Sequence, residues 1–219
     1  MGIRICGAEY EAVIFDFDYT LADATEGIIG SFNYALEDSG YKIQNPGDIR
    51  KTVGMTLYDA FSLLTGIKDL RAADGFFKAF MSKADEIMTQ NTSIYGDATP
   101  VLERLKDAGV KTGVVTNKMG YRVREVLEVN GIAHLIGCVV GYEDVEAHKP
   151  SPEGVRKAME LTGALPEETL YVGDSAVDAE TASNAGIGFA GVTTGATSAN
   201  ELAAYPYVII EENLAGIFL

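Results

Sequence analysis

A short apolar run that ends in two aspartates limits the fold of this chain more than any other feature. Ala12 to Phe15 is rich in β-forming residues and is typical of a buried parallel strand. Asp16, Asp18 and Thr20 follow it directly. Carboxylates are rarely buried without a partner or a metal, and open α/β sheets bind ligands at the carboxyl ends of their strands. The segment is therefore either an Asp-rich turn after an edge strand or part of a site.

The size and charge of the chain exclude several classes of protein. Its 219 residues, 47% of them hydrophobic, suit one large domain or a domain that carries an insert. A formal charge of −15 argues against a nucleic-acid or anionic-membrane partner. The two cysteines, Cys6 and Cys138, are too few for a disulfide framework, and we find no apolar run of signal-peptide or membrane-spanning length. We expect a cytoplasmic protein.

Periodicity divides the chain into two parts. Residues 21–91 read as helices and turns only, which predicts an inserted helical subdomain. Residues 1–20 and 92–219 alternate strands with helices, and the strands after the first are expected at 110–116, 135–140, 169–172, 188–192 and 207–210. Such alternation implies right-handed crossovers. The predicted fold class is therefore α/β, a doubly wound, Rossmann-like parallel sheet with an α-helical cap subdomain.

Polar side chains occur where the predicted strands end. Thr116 and Asn117 follow the second strand, Lys149 lies in the loop after the third, and Asp174 and Asp178 follow the fourth. Parallel strands bring these ends to one edge of the sheet, so the groups can converge with the first two aspartates. Scattered loop polarity would not fall at the strand ends in this way, so a site is favoured over a simple acidic turn.

These residue types suit phosphoryl transfer. Asp16 and Asp174 can hold Mg²⁺, which prefers a few carboxylates plus waters. One of the first two aspartates can attack as a nucleophile while the other moves protons. Thr116 and the backbone N–H groups beside it can hold phosphate oxygens, and Lys149 can bind phosphate and orient the attacking carboxylate.

Four segments together resemble the haloacid dehalogenase superfamily of phosphotransferases over essentially the whole chain. They are Asp16-Phe17-Asp18-Tyr19-Thr20-Leu21, Thr116-Asn117, Lys149-Pro150 and Gly173-Asp174-Ser175-Ala176-Val177-Asp178. The resemblance implies that Asp16 is phosphorylated, and that Asp18 is the general acid and then the base and lends its backbone carbonyl to Mg²⁺. It also implies that Asp178 supports the metal or the lysine, and that the helical insert is a cap that selects substrate.

Tyr19 departs from this resemblance, because the family usually has glycine at that position. Tyr19 either contacts substrate near the cap or is simply tolerated by the backbone. His148 is interpreted as a surface residue rather than a base, and the two cysteines as ordinary thiols.

The resemblance is closest to phosphoglycolate phosphatases, with pyrophosphatases and β-phosphoglucomutase nearby. We therefore expect a Mg²⁺-dependent phosphatase that hydrolyses a small phosphorylated metabolite through an aspartyl-phosphate. The alternatives are a β-phosphoglucomutase-like phosphotransferase, an inorganic pyrophosphatase, and a phosphate-sensing module without activity. The chain is expected to be a monomer or a homodimer.

Overall fold

The computed structural model describes residues 2–219, apart from the side chains of Leu70 and Ala72. The chain divides into two compact units, and each is described separately. One unit ends at Asp23 and resumes at Ile94, and the other spans Ala24–Ser93. The boundaries predicted at residues 20/21 and 91/92 fall a few residues before these.

Strands and helices alternate through the first unit, whereas helices dominate the second. The strands are β1 Ile3–Ile5, β2 Ala8–Tyr10, β3 Ala12–Phe15, β4 Ala22–Asp23, β5 Ser93–Ile94, β6 Lys111–Val115, β7 Cys138–Val140, β8 Thr169–Gly173, β9 Gly188–Val192 and β10 Ile209–Glu211. The helices are α1 Thr25–Asp38, α2 Pro46–Arg50, α3 Leu57–Thr65, α4 Leu70–Ile87, α5 Ala98–Asp107, α6 Gly120–Val129, α7 Glu153–Thr162, α8 Ala176–Ala185, α9 Ala199–Leu202 and α10 Leu214–Phe218. Among the described residues, no helix combines the length and the apolar character needed to cross a membrane.

Six strands form one parallel sheet in the order β10-β9-β8-β3-β6-β7. This confirms the predicted doubly wound sheet. The chain runs from β3 outward through β6 to β7, and then crosses back to β8 on the other side of β3. Strand order therefore reverses between β3 and β8, and such a reversal opens a ligand-binding crevice at the carboxyl ends of the strands.

The central strand is buried on both faces. All four residues of β3 are fully buried, as expected for a parallel strand between two helical layers. On one face Phe15 packs 6.1 Å from the ring of Phe218, measured between centroids. On the other face Ile14 joins a separate apolar cluster with Tyr171 and Val155. The rigid centre of the sheet thus carries the first acidic segment.

The helical unit has its own core. Phe32, Phe61 and Phe76 are buried there, and the ring centroids of Phe61 and Phe76 lie 4.7 Å apart. The Thr56 side chain accepts a hydrogen bond from the Asp59 N–H and begins α3 as predicted. This aromatic cluster explains why the insert forms a compact unit.

Two local predictions were wrong, and one element was missed. The third predicted strand begins at Cys138 rather than Leu135, because Ala133–Leu135 forms a 3₁₀ turn instead. The two-residue strand β4 lies within the stretch predicted to hold only helices and turns. The hairpin of β1 and β2 was not predicted, since its strands have only three residues each.

Candidate active site

Asp16 is the first residue after β3 and lies beside the crevice where strand order reverses. In the β3–β8 register Phe15 pairs with Val172, and the Asp16 N–H continues the ladder with a 2.8 Å bond to the Val172 carbonyl. Asp174 follows the neighbouring strand β8. The register therefore brings two carboxylates that are far apart in sequence to the same end of the sheet.

Lys149 lies between Asp16 and Asp178. Its Nζ atom is 2.8 Å from Oδ1 of Asp16 and 2.7 Å from Oδ1 of Asp178, and all three side chains are at most 2% exposed. The contact with Asp16 is a close ion pair that lacks the alignment of a hydrogen bond, because Oδ1 of Asp16 has no hydrogen-bond partner among the described residues. One buried ammonium thus holds two carboxylates in place.

Tyr171 completes the surroundings of Lys149, and the sequence analysis missed it. Its hydroxyl accepts a hydrogen bond from Nζ of Lys149 at 3.2 Å and donates one to the Val115 carbonyl at 2.8 Å. The ammonium therefore has three oxygens around it, two of which accept hydrogen bonds while the third, from Asp16, forms an ion pair. Tyr171 lies inside β8, where its position in a buried strand offered no signal of such a role.

Asp178 is bonded by protein groups on both of its oxygens. Oδ1 accepts from Lys149, and Oδ2 accepts from the N–H and the hydroxyl of Ser175 at 3.0 and 2.6 Å. This is the capping box that begins α8. The residue before Asp174, Gly173, has no room for a side chain, because a Cβ would lie 2.4 Å from Cβ of Asp178. The contacts of Asp178 suit orientation of Lys149 better than direct metal binding.

Burial and charge shift the pKa values of this cluster. Burial raises the pKa of Asp16 to about 6, although the Lys149 charge opposes the shift. Burial, then the charges of Asp178 and Asp16, raise the pKa of Asp174. Burial alone would lower the pKa of Lys149, but Asp16 and Asp178 hold it well above its usual value. The positive charge of Lys149 therefore does not fully offset the cost of burying the negative charges of Asp16 and Asp174, and a bound cation would reduce this cost.

The donor set of this cluster fits a divalent metal. Asp16, Asp174 and Asp178 each place a carboxylate oxygen within 4.8 Å of the others, and all three residues are buried. Oδ1 of Asp16 is buried without a hydrogen-bond partner among the described residues. Buried carboxylates are ligands suited to Mg²⁺, which takes one or two of them together with waters. Asp16 and Asp174 are the better pair, given the bonds of Asp178.

Asp18 pairs with a second lysine that was not predicted to belong to the site. Nζ of Lys118 lies 2.8 Å from Oδ1 of Asp18, with the two side chains 7% and 11% exposed. Asp18 is not part of the group of three carboxylates. Lys118 immediately follows Thr116-Asn117 at the end of β6, so its place at a strand end was a signal that could have found it.

The structure places Thr116 and Asn117 beside Lys149. Thr116 is 6% exposed, and its Oγ1 accepts the Lys118 N–H at 3.2 Å. The Asn117 amide brackets the Lys149 peptide, because Oδ1 accepts its N–H at 3.0 Å and Nδ2 donates to its carbonyl at 3.2 Å. The Asn117 side chain therefore holds the loop that carries Lys149. The phosphate contact predicted for Asn117 is then left to its backbone N–H.

Tyr19 adopts the left-handed backbone conformation that favours glycine. Its φ is 63°, its side chain is buried, and its N–H bonds the Ala22 carbonyl at 2.7 Å. Thr194 Oγ1 donates a short hydrogen bond to the Tyr19 carbonyl. Glycine, which the resemblance implies at this position, would adopt this tight turn after Asp18 without strain, and the predicted substrate contact of Tyr19 stays a prediction.

His148, which the sequence analysis interprets as a surface residue, is half-buried and contacts Tyr142. Its ring stacks on Tyr142 at 3.7 Å between centroids, and Nε2 lies 3.0 Å from the Tyr142 carbonyl. The His148 ring therefore links the residue before Lys149 to Tyr142, at the other end of the same loop.

Comparison with known proteins places the chain among hydrolases. The profile of the haloacid dehalogenase-like hydrolases matches residues 13–192. The chain is 34% identical over 197 residues to a pyrophosphatase PpaX of Bacillus velezensis, covering 89% of this chain and 88% of that protein.

Solved structures agree with this placement. A haloacid dehalogenase-like hydrolase of Bacteroides fragilis superposes with a TM-score of 0.92 at 41% identity, covering 95% of this chain and 100% of that one. A predicted phosphoglycolate phosphatase from Haemophilus somnus superposes with a TM-score of 0.81 at 26% identity, covering 95% and 96% of the two chains.

Proposed function

The chain belongs to the haloacid dehalogenase-like hydrolase family, and we propose that it is a Mg²⁺-dependent phosphatase that passes a phosphoryl group through Asp16. The carrying observation is Oδ1 of Asp16, which is buried without a hydrogen-bond partner among the described residues and lies 2.8 Å from Nζ of Lys149. A carboxylate held by an ion pair keeps a lone pair for attack, and its fixed position supplies the orientation that phosphoryl transfer needs.

In the first half-reaction an Asp16 oxygen forms a bond to phosphorus while the bond from phosphorus to the leaving oxygen breaks. Asp18, two residues further along the same segment, gives its proton to that leaving oxygen. Lys149 and the backbone beside Thr116 bind the phosphoryl oxygens, whose charge rises in the transition state. The products of this step are phosphorylated Asp16 and the leaving group with its oxygen protonated.

In the second half-reaction water forms the new bond to phosphorus, and the bond to the Asp16 oxygen breaks. Asp18 takes the proton from the attacking water and so returns to its starting state. Asp178 and Tyr171 keep Lys149 in place during both steps through their 2.7 and 3.2 Å contacts with Nζ. Mg²⁺, held by Asp16 and Asp174, would offset the repulsion between the phosphate and the carboxylates.

The substrate is proposed to be a small phosphorylated metabolite, as in phosphoglycolate phosphatases. Inorganic pyrophosphate is the second candidate, because the chain is 34% identical to a protein named pyrophosphatase PpaX. Both substrates share the attack by Asp16 and differ only in the leaving group, which is an alcohol oxygen in one case and phosphate in the other.

Phosphate release from a panel of phosphate monoesters and from pyrophosphate, with Mg²⁺ and with EDTA, tests the proposal. We expect Mg²⁺-dependent release from at least one compound and a loss of at least about a thousandfold in kcat for Asp16→Asn. The control is Asp107→Asn at the exposed end of α5, which should keep full activity. Activity retained in Asp16→Asn would overturn the mechanism, and a folded protein that hydrolyses nothing would favour the phosphate-sensing alternative.

A further inference from the structure

The bend after β9 contacts both acidic segments, although the sequence analysis did not include it in the site. β9 lies next to β8 in the sheet, so its carboxyl end opens beside Asp174. Thr194 and Gly195 are the second and third residues after this strand. The carboxyl end of β9 is therefore the fifth strand end at the edge of the sheet that carries the candidate site.

Thr194 holds the segment that carries the first two aspartates. Its hydroxyl donates to the carbonyl of Tyr19, the residue directly after Asp18. Tyr19 has a φ of 63°, a conformation that is unfavourable for a residue other than glycine. The hydroxyl of Thr194 therefore stabilises a turn that this sequence builds without the usual glycine.

Gly195 lies directly against the other acidic segment. A Cβ on Gly195 would lie 1.8 Å from Oδ2 and 2.7 Å from Cγ of Asp174. The opposite oxygen, Oδ1, lies 3.4 Å from Oγ1 of Thr20, which donates to it. The Asp174 carboxylate is thus confined between a hydroxyl on one side and a bare backbone on the other.

We propose that Thr194 and Gly195 are positioning residues for the metal ligands, setting where the Asp174 carboxylate lies relative to Asp16. The inference rests on the proposed function, since it assumes that these carboxylates bind Mg²⁺. Mg²⁺ demands nearly ideal octahedral geometry, so a displaced carboxylate weakens its binding, and loss of residues that orient metal ligands typically costs 10–100-fold in affinity.

Calorimetric titration of the EDTA-treated protein with MgCl₂ tests the inference without relying on turnover. Gly195→Ala should raise the Mg²⁺ Kd by at least about tenfold, because its methyl group displaces the Asp174 carboxylate. Gly96→Ala is the matched control, since Gly96 is exposed and a Cβ there would meet nothing within 4 Å. A folded Gly195→Ala protein with the Mg²⁺ Kd of the wild type would overturn the inference.

A second pair of variants covers the case in which Gly195→Ala does not fold. Thr194→Val keeps the shape of the side chain but removes the hydroxyl, whereas Thr194→Ser keeps the hydroxyl. We expect weaker Mg²⁺ binding in the valine variant and near wild-type binding in the serine variant. Equal Mg²⁺ affinity in both variants would overturn the role of Thr194. If the wild type itself binds no Mg²⁺, the proposed function is wrong. If the wild type binds Mg²⁺ and the variants bind it equally well, only the positioning role is wrong.

Discussion

The ammonium nitrogen of Lys149 lies 2.7 Å from Oδ1 of Asp178, and neither side chain is more than 2% exposed. A buried ion pair of this kind contributes little net stability, but removal of one partner leaves an uncompensated buried charge. The pair is therefore better explained as a device that fixes the lysine than as a source of stability.

Asp178→Asn should lower both stability and activity. The substitution removes one of the two carboxylates that pair with Lys149 among the described residues, so we expect a loss on the order of 3 kcal/mol in the free energy of unfolding, measured by urea denaturation. Glu201→Gln is the matched control, because Glu201 occupies the same position in an exposed capping box with Ser198. A loss no larger than that of the control would contradict the structural account of Asp178.

Lys118→Met tests whether the second lysine serves the site. Without its 2.8 Å contact the Asp18 carboxylate is no longer held in one position, so kcat should fall by about tenfold or more while the protein stays folded. Steady-state kinetics with the best substrate of the panel gives the comparison. Lys51→Met removes an exposed ion pair with Asp48 and should leave kcat unchanged. If kcat in Lys118→Met equals that of the wild type, Lys118 has no part in the reaction.

Tyr171→Phe removes a single buried hydroxyl. The Val115 carbonyl and the Lys149 ammonium each lose a partner, so stability should fall by about 1–3 kcal/mol in thermal or urea unfolding. A positioning role also predicts a fall in kcat with little change in KM, which a purely structural role would not produce. Tyr207→Phe, at an exposed tyrosine, is the control for the chemical change. Unchanged kcat would reduce Tyr171 to a packing residue.

The ionisation of Asp16 should destabilise the metal-free protein as the pH rises from about 4 to about 6. The pKa of Asp16 is about 6 in the folded protein because of burial, against an ordinary value of 3.8. Between these values the folded state binds a proton that the unfolded state lacks, so the free energy of unfolding falls as pH increases. Asp16→Asn removes this ionisation, and its stability relative to the wild type should therefore increase over the same range.

Urea denaturation in EDTA between pH 4 and pH 8 measures this difference. Asp107→Asn, at an exposed site, is the control for the change from a carboxylate to an amide. A difference between Asp16→Asn and the wild type that stays constant from pH 4 to pH 8 would show that the Asp16 carboxylate is not destabilised by its surroundings.

The parallel sheet could be predicted because the strands and helices of the core carry strong local patterns. β3 and β8 are short apolar runs that end in aspartates, and their register alone brings Asp16 and Asp174 together. Errors arose where local signals were weak, as in the three-residue strands of the amino-terminal hairpin and the 3₁₀ turn before Cys138. In these short elements a few backbone hydrogen bonds decide the structure, and residue type alone does not predict them.

The sequence by itself determined the fold class and the candidate acidic groups, because strand periodicity and residue type are local properties of the chain. Tertiary structure alone decided their partners. Lys118 reaches Asp18 across 100 positions, and Thr194 reaches Tyr19 across 175, so no local pattern reports either contact. These contacts depend on strand order and register. Burial makes them energetically important, since a buried charge or polar group without a partner is costly.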